Sequence, residues 1–220
     1  KTAYDIRLSL VGSEMCIRDS VTGSHLTSMH SMDNAYAHKL IALMADAQLQ
    51  AIANPLINIT LQGRYDSYPR RRGMTRVPEL LAAGVNVAFG HDCVLDPWYS
   101  FGSADMLEVA AMGLHVAQMT SLAGQRQCFE AVTANAARIL GLEGYGLESG
   151  CRADFVLLQA RSPEEAIRLR AQRLLVVSGG RVVSRMPLAS AAISLPGRQA
   201  LVDFTRQPPA TPTGPVQPAG

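Results

Sequence analysis

From residue 21 onward, short apolar runs alternate with longer amphipathic stretches. Val21-Thr22-Gly23-Ser24-His25 reads as the end of a strand with a histidine at its tip. Asp33 or Asn34 can cap a helix over residues 35–47, where Tyr36, Leu40, Leu43 and Met44 recur at helical spacing on one face. Residues 49–54 predict a second strand, closed by Pro55. Residues 56–75 predict a long polar loop with Gly63, Pro69 and Gly73, and loops of that length inside a compact domain are usually functional or disordered. Pro78 suits the first turn of a short helix through Ala83. A buried strand follows over residues 85–90, apolar at Val85, Val87 and Phe89, and it ends abruptly in His91, Asp92 and Cys93. Ser103 can cap a helix over residues 104–119, with Met106, Val109, Ala110, Gly113 and Leu114 facing inward, and another helix is predicted over residues 123–140. Strand, loop and helix in repetition predict a parallel α/β architecture.

The pattern changes near Gly141. Gly144, Gly146 and Gly150 mark turns, residues 153–158 read as a strand, and Leu174 to Val177 and Arg181 to Val183 flank Ser178-Gly179-Gly180 as a hairpin. The predicted organisation is therefore an α/β unit over residues 21–140, a small β unit over 141–190 and a tail over 191–220. Pro, Thr, Gly and Ala dominate that tail from Pro208 on, a composition that predicts disorder.

Length and composition narrow the classes. A chain of 220 residues can build about one and a half domains. With 48% hydrophobic and 17% charged residues it reads as a soluble globular protein. A net charge of +2 leaves no electrostatic footprint for nucleic acid or for an acidic membrane. Arg70-Arg71-Arg72 is the basic run, and a solvated loop or pairing with carboxylates accounts for it more simply than a phosphate site. No run reaches the roughly 18 apolar residues that span a bilayer. Cys16, Cys93, Cys128 and Cys151 show no CxxC spacing, which fits a reducing, cytoplasmic compartment.

Residues 1–20 stand apart. Leu10 to Ser20 resembles the translation of a transposase-based sequencing adapter, codon by codon, and Lys1-Thr2-Ala3-Tyr4 matches the neighbouring flow-cell sequence. Asp5 departs from it, because the adapter predicts Glu there. A signal peptide fails because Asp5, Arg7 and Glu14 break any apolar core segment. The segment is expected to be non-native, with the biological sequence beginning near Val21.

Three polar residues sit at or just past strand ends: His25, Asn54 and Asp92. If the strands are parallel neighbours, all three converge on one pocket, where barrel enzymes build their sites. Asp92 can bind a divalent metal through its carboxylate, and His25 can ligate the metal or hydrogen-bond a water on it. Taken singly, a histidine near a strand end is more readily a satisfied structural residue, and three polar tips in a row bring the two readings level. His91 should point away from Asp92 along the strand, and His30, His38 and His115 are weaker candidates. Cys93 lacks an adjacent base, so a pocket-lining or buried thiol is the simpler reading. Trp98, the one tryptophan, can cover a flat ring or fill the core.

These residues resemble the cytosine deaminase branch of the amidohydrolase superfamily. Val21 to Ser31 is similar to its sixth strand and loop, Ala53 to Arg64 with Tyr68 to Gly73 to the seventh, and Gly90-His91-Asp92 with Asp96-Pro97-Trp98-Tyr99 to the eighth. Ser149 to Leu157 is similar to the return into the superfamily's β-sandwich domain. The resemblance, which runs from about Val21 to Val183, implies the C-terminal part of a (β/α)8 metal-dependent hydrolase barrel plus part of a small β-sandwich. It implies one divalent metal, Fe²⁺ or Zn²⁺, that activates water for attack on a ring carbon bearing an exocyclic amine, with release of ammonia. Asp92 would be metal ligand and proton shuttle, and His25 would hydrogen-bond the activated water. Trp98 would help wall the pocket beside Asn54 and Cys93, and a homo-oligomer is compatible. The expected substrate is a small cyclic amine.

Two departures qualify the resemblance. Cys93 stands where the family commonly has a second Asp that contacts the pyrimidine, which opens isocytosine, creatinine or another cyclic amidine as substrate. The family's His-x-His strand, its fifth-strand His and its catalytic Glu belong upstream of Val21 and are missing. A barrel takes eight strands and about 250 residues, so this chain is expected to hold no metal and to be inactive. A cyclic-amide hydrolase and a non-catalytic partner domain are the alternatives.

Overall fold

The structure, a computed structural model, describes residues 21–197 and 201–202. The segment read as adapter and the Pro-rich part of the tail lie outside the described residues. Strands β1 (Thr22–Ser24), β2 (Gln50–Ala53) and β3 (Val87–Phe89) form a parallel sheet in that spatial order. Gly23 pairs with Ala51, and Ile52 with Ala88. Parallel strands are covered on both faces, and β3 is accordingly buried at Val87, Ala88 and Phe89. Two backbone bonds carry the pairing past the strand ends: His25 N–H donates to Ile52 O (2.8 Å) and Gly90 N–H to Ala53 O (2.9 Å). The strands thus end side by side with their polar tips.

Helix α1 (Asn34–Asp46) is capped by Asp33, whose side chain accepts from Tyr36 N. Its buried stripe is Ala37, Ile41 and Met44, so the expected inward face is rotated and Tyr36 is half exposed. The polar loop expected from residue 56 begins instead as helix α2 (Pro55–Leu61), and Leu56, Ile57 and Asn58 are buried. Pro55 both closes β2 and opens α2, since its missing N–H costs a helix nothing at the first position. Helix α3 (Val77–Ala82) precedes β3. Helix α4 (Met106–Val116) starts later than predicted: Ala104 is left-handed at φ 59°, and Asp105, not Ser103, accepts from Leu107 N. The single helix predicted over 123–140 is two, α5 (Leu122–Ala131) and α6 (Ala134–Ile139). The break falls at the β-branched pair Val132-Thr133, where the Thr133 hydroxyl bonds back to Phe129 O (2.8 Å).

Beyond residue 141, β4 (Phe155–Leu158), β5 (Arg173–Ser178) and β6 (Arg181–Arg185) form an antiparallel sheet. Gly179 and Gly180 have φ of 55° and 75°, the paired positive angles of a tight hairpin turn. Helix α7 (Pro163–Leu169), which no periodicity announced, lies between β4 and β5. Its start was nonetheless written in Ser162-Pro163-Glu164-Glu165: Ser162 accepts from Glu165 N, and Pro163 occupies the first turn. Ala166, Ile167 and Ala171 join the same apolar core as α4 and α5. Arg126 of α5 pairs with Glu164, and Arg173 of β5 pairs with Asp105 at the start of α4. Within the segment expected to be a tail, β7 (Ala191–Ala192) pairs with β8 (Leu201–Val202). No helix among the described residues is long and apolar enough to cross a membrane.

Gly113 lets α4 lie flat on β3, because an added Cβ would stand 2.3 Å from Phe89 Cε2. Gly113→Ala gains about 1 kcal/mol of helix propensity. Overpacking costs about 1–3 kcal/mol, so the chemical denaturation midpoint is expected to fall. Hydrogen bonds from Ser162, its own backbone and Arg126 take Glu164 from 4.5 down to about 2. A depressed folded-state value means stability that is present above the unfolded value and lost as pH falls through the folded one. Acid titration of stability between about pH 4.5 and 2 is therefore expected to be shallower in Glu164→Gln.

Candidate active site

The tips of β1 and β3 both turn through left-handed residues, His25 at φ 64° and Asp92 at φ 66°. Non-glycine residues in that region are strained by roughly 1–3 kcal/mol, and such positions cluster at functional sites. The turns bring His25 Nε2 to 3.3 Å from Asp92 Oδ2, with both side chains partly open to solvent. Behind His25, Asn58 Nδ2 donates to His25 Nδ1 (2.9 Å). That bond assigns the lone pair to Nδ1 and leaves the hydrogen on Nε2, facing Asp92. Asn58 is 3% exposed, and its Oδ1 accepts from Asn54 N (3.2 Å). Sequence reasoning missed Asn58 because its segment was read as loop; on a helix, Asn54 and Asn58 stand one turn apart.

Asn54 is also 3% exposed. Its Nδ2 donates to Ser24 Oγ (3.2 Å), and its Oδ1 lies over Gly90, where a Cβ would come within 2.4 Å. The amide is engaged among the three strand ends rather than presented to open space. His91 is buried, with Nδ1–H donating to Cys93 O (2.9 Å) and its ring edge-on to Tyr99. Its Nε2 is buried without a hydrogen-bond partner. Cys93 is half-buried. Hydrogen bonding to the Asp96 carboxylate, then burial and the nearby acidic charges, push its thiol up to about 11, so it is neutral at physiological pH. Trp98 is 68% exposed and therefore does not fill the core.

The arginine run is largely committed. Arg71 forks onto Asp66 and donates to Ser31 Oγ, Arg72 reaches Gln118, and Arg70 lies over the Tyr68 ring. With His30 and Thr75 these arginines line a cleft of about 340 Å³ that includes neither His25 nor Asp92. Among the described residues, no three His, Cys, Asp or Glu side chains gather as a metal site. The tips supply one carboxylate and one imidazole, donors that suit Zn²⁺ or Fe²⁺ but make only part of a ligand set.

Residues 8–184 match the Amidohydrolase family. The chain belongs to that family. The match begins inside the segment read as adapter. Among amidohydrolase relatives, the pterin deaminase of Rhizobium rhizogenes is 35% identical over 170 residues, 75% of this chain and 38% of the relative. The structure of 5-methylcytosine deaminase from Klebsiella pneumoniae liganded with 5-fluorocytosine superposes with a TM-score of 0.76 at 40% identity, over 79% of this chain and 42% of that one. N-isopropylammelide isopropylaminohydrolase from Burkholderia multivorans gives 0.68 and 32%, over 83% and 44%. The chain thus spans well under half the length of these relatives, between 38% and 44%.

Gly102, at φ 88°, sits where a Cβ would lie 2.4 Å from His91 Cε1. Gly102→Ala is expected to destabilise the protein by more than about 1 kcal/mol, read as a lower Tm, with the largest chemical-shift changes at His91 and Cys93.

Proposed function

We propose that this chain is the part of a metal-dependent deaminase that carries the sixth to eighth barrel strands and a portion of the accompanying β-sandwich. The observation that carries the reading is the 3.3 Å pair of His25 Nε2 and Asp92 Oδ2 at the ends of two parallel strands that flank β2. Two further features support it. The β1-β2-β3 sheet has an open edge on each side among the described residues, as an arc of a closed barrel would. The β4-β5-β6 sheet exposes Phe155, Leu157 and Val183, as half of a sandwich would. Residues 1–20 are proposed to be adapter-derived, and a homo-oligomer is left to be measured.

In this reading Asp92 would be one ligand of a single Fe²⁺ or Zn²⁺ ion. When bound, that ion supplies acidity to a water and Lewis-acid polarisation. The chain's own contribution is positional. Asn58 fixes the His25 tautomer, so that Nε2–H points to where charge develops during addition to the ring. Asp92 is placed to accept the proton of the attacking water and deliver it to the leaving amine. The neutral Cys93 thiol and the exposed Trp98 indole form the substrate edge, with Asn54 bracing the strand ends beneath them. A neutral thiol suits an aminopyrimidine whose ring edge needs no charged acceptor, in keeping with the 40% identity to an enzyme named for 5-methylcytosine.

The 220-residue chain supplied with Zn²⁺ or Fe²⁺ is expected to release no ammonia from cytosine or 5-methylcytosine. Turnover by this chain would overturn its incompleteness. In a protein restored with the upstream strands, ammonia is the expected product, and Asp92→Asn should lower kcat by about 10²–10⁴-fold. A ring-opened acid without ammonia would point to a cyclic-amide hydrolase.

A further inference from the structure

The loop between α2 and α3 carries Arg70, Arg71 and Arg72, and two left-handed glycines close it on itself. At Gly63 (φ 67°) a Cβ would stand 2.8 Å from Arg71 O, and at Gly73 (φ 70°) a Cβ would stand 2.1 Å from Gln62 Cβ. Each arginine makes a contact, but only Arg71 meets a carboxylate. It grips Asp66 with two nitrogens, and its Nη1–H donates to Ser31 Oγ (3.1 Å). Ser31 Oγ in turn lies 3.0 Å from His30 Nε2, which ties the segment after β1 to the same loop. The carboxylate pairing expected for the run therefore holds for Arg71 alone. Among the described residues, neither Arg70 nor Arg72 forms an ion pair. Arg70 lies over the Tyr68 ring, 5.2 Å from its centre, an attraction that spends charge and no N–H group. Arg72 spends one Nη2–H on Gln118 Oε1 (3.3 Å). A guanidinium carries five N–H donors, so most of theirs stay open to the cleft and to water.

We propose that this cleft binds a phosphoryl anion, gripped by Arg70 and Arg72 from a loop that Arg71 holds in place. No Asp or Glu lines it, so the charge of those two side chains has no counter-charge there. Planar guanidinium forks match phosphate oxygens two at a time, which an isolated ammonium cannot do. The volume of about 340 Å³ stands at the small end of ligand pockets, so the occupant is a small molecule. Met74, Pro78 and Val116 add an apolar lining that can cover the organic part of a phosphate monoester. Free phosphate and a monoester offer the arginines the same oxygens, and their relative affinities tell them apart. The cleft includes neither His25 nor Asp92, so its occupancy requires no metal and no turnover.

The test is a calorimetric titration of the 220-residue chain at low salt with inorganic phosphate, ribose 5-phosphate and ribose. Saturable binding of the two anions is expected, with a Kd of about 1 mM or tighter, and none of ribose. A tighter ester assigns the apolar lining to its organic group; equal affinities assign free phosphate. Joint Arg70→Gln and Arg72→Gln substitution should weaken binding at least about tenfold, the scale of lost charge-assisted hydrogen bonds. Arg72→Lys keeps the charge and loses the fork, and it should weaken binding by a smaller factor. Arg64 lies on the same loop but does not line the cleft, so Arg64→Gln should leave the affinity unchanged. The proposal is overturned if neither anion saturates by about 10 mM, or if Arg64→Gln costs as much as the double substitution. If the double variant does not fold, Arg72→Lys decides: parent affinity there also overturns it. Ammonia release is not read in any arm, so the outcome stands apart from that of the deaminase reading.

Discussion

The pairing of β2 with a parallel neighbour on each side is the constraint on which the site depends. Parallel strands all point their C-terminal ends the same way, and here the ladder continues one residue past β1 and β3 through His25 N–H and Gly90 N–H. Tips separated by 67 positions in the chain are thereby held level, and the side chains that follow can meet. Antiparallel pairing of β2 with its neighbours would have sent Asn54, which follows β2, to the opposite end of the sheet from His25 and Asp92. The small residues of β2, Ala51 and Ala53, are both fully buried and keep this central strand close to its coverings.

Level strand ends are not sufficient, because a strand continued in extended conformation would carry its side chains past one another. The chain turns at each tip through a left-handed residue, and each turn has its own brace. At β1 the brace is Asn58, reached through α2, and it also fixes which imidazole nitrogen faces Asp92. At β3 it is buried His91, pinned to Cys93 O and pressed between Tyr99 and Gly102. Gly90 and Gly102 are required for different reasons: the first leaves room for the Asn54 amide, the second for the His91 ring at a positive φ. The unpartnered His91 Nε2 fits a ring retained for its other nitrogen and its shape.

The sequence made the strands legible because Val85, Val87 and Phe89 form an apolar run too short for a helix and bounded by glycine. The ends of that run made His25, Asn54 and Asp92 visible as a group, and the structure brings all three to one end of the sheet. What escaped were features with a local signal that two readings could claim. Pro55 terminates a strand and equally begins a helix, and choosing the first concealed α2 and with it Asn58. Ser103 and Asp105 can both cap, and only the left-handed turn at Ala104 decides between them. Asn54 reads as a substrate contact at a strand tip, while its burial against Ser24 and Gly90 depends on a register that no single strand encodes.

The link between the two units sharpens what the tip loop can do. Asp105 ends that loop and caps α4, and it is also the partner of Arg173 on β5. One carboxylate therefore anchors the C-terminal end of the loop that bears Asp92, Cys93 and Trp98 to a strand of the antiparallel sheet. Exposed ion pairs are worth little, but Asp105 is only 22% exposed at its side chain and already bonded to the start of α4. Its second partner limits how far the cap can swing. The loop is then held at three places: His91 at the strand, Asp96 in the middle and Asp105 at the helix. A loop so held keeps the backbone that follows Asp92 in a fixed relation to the strand ends and to the start of α4.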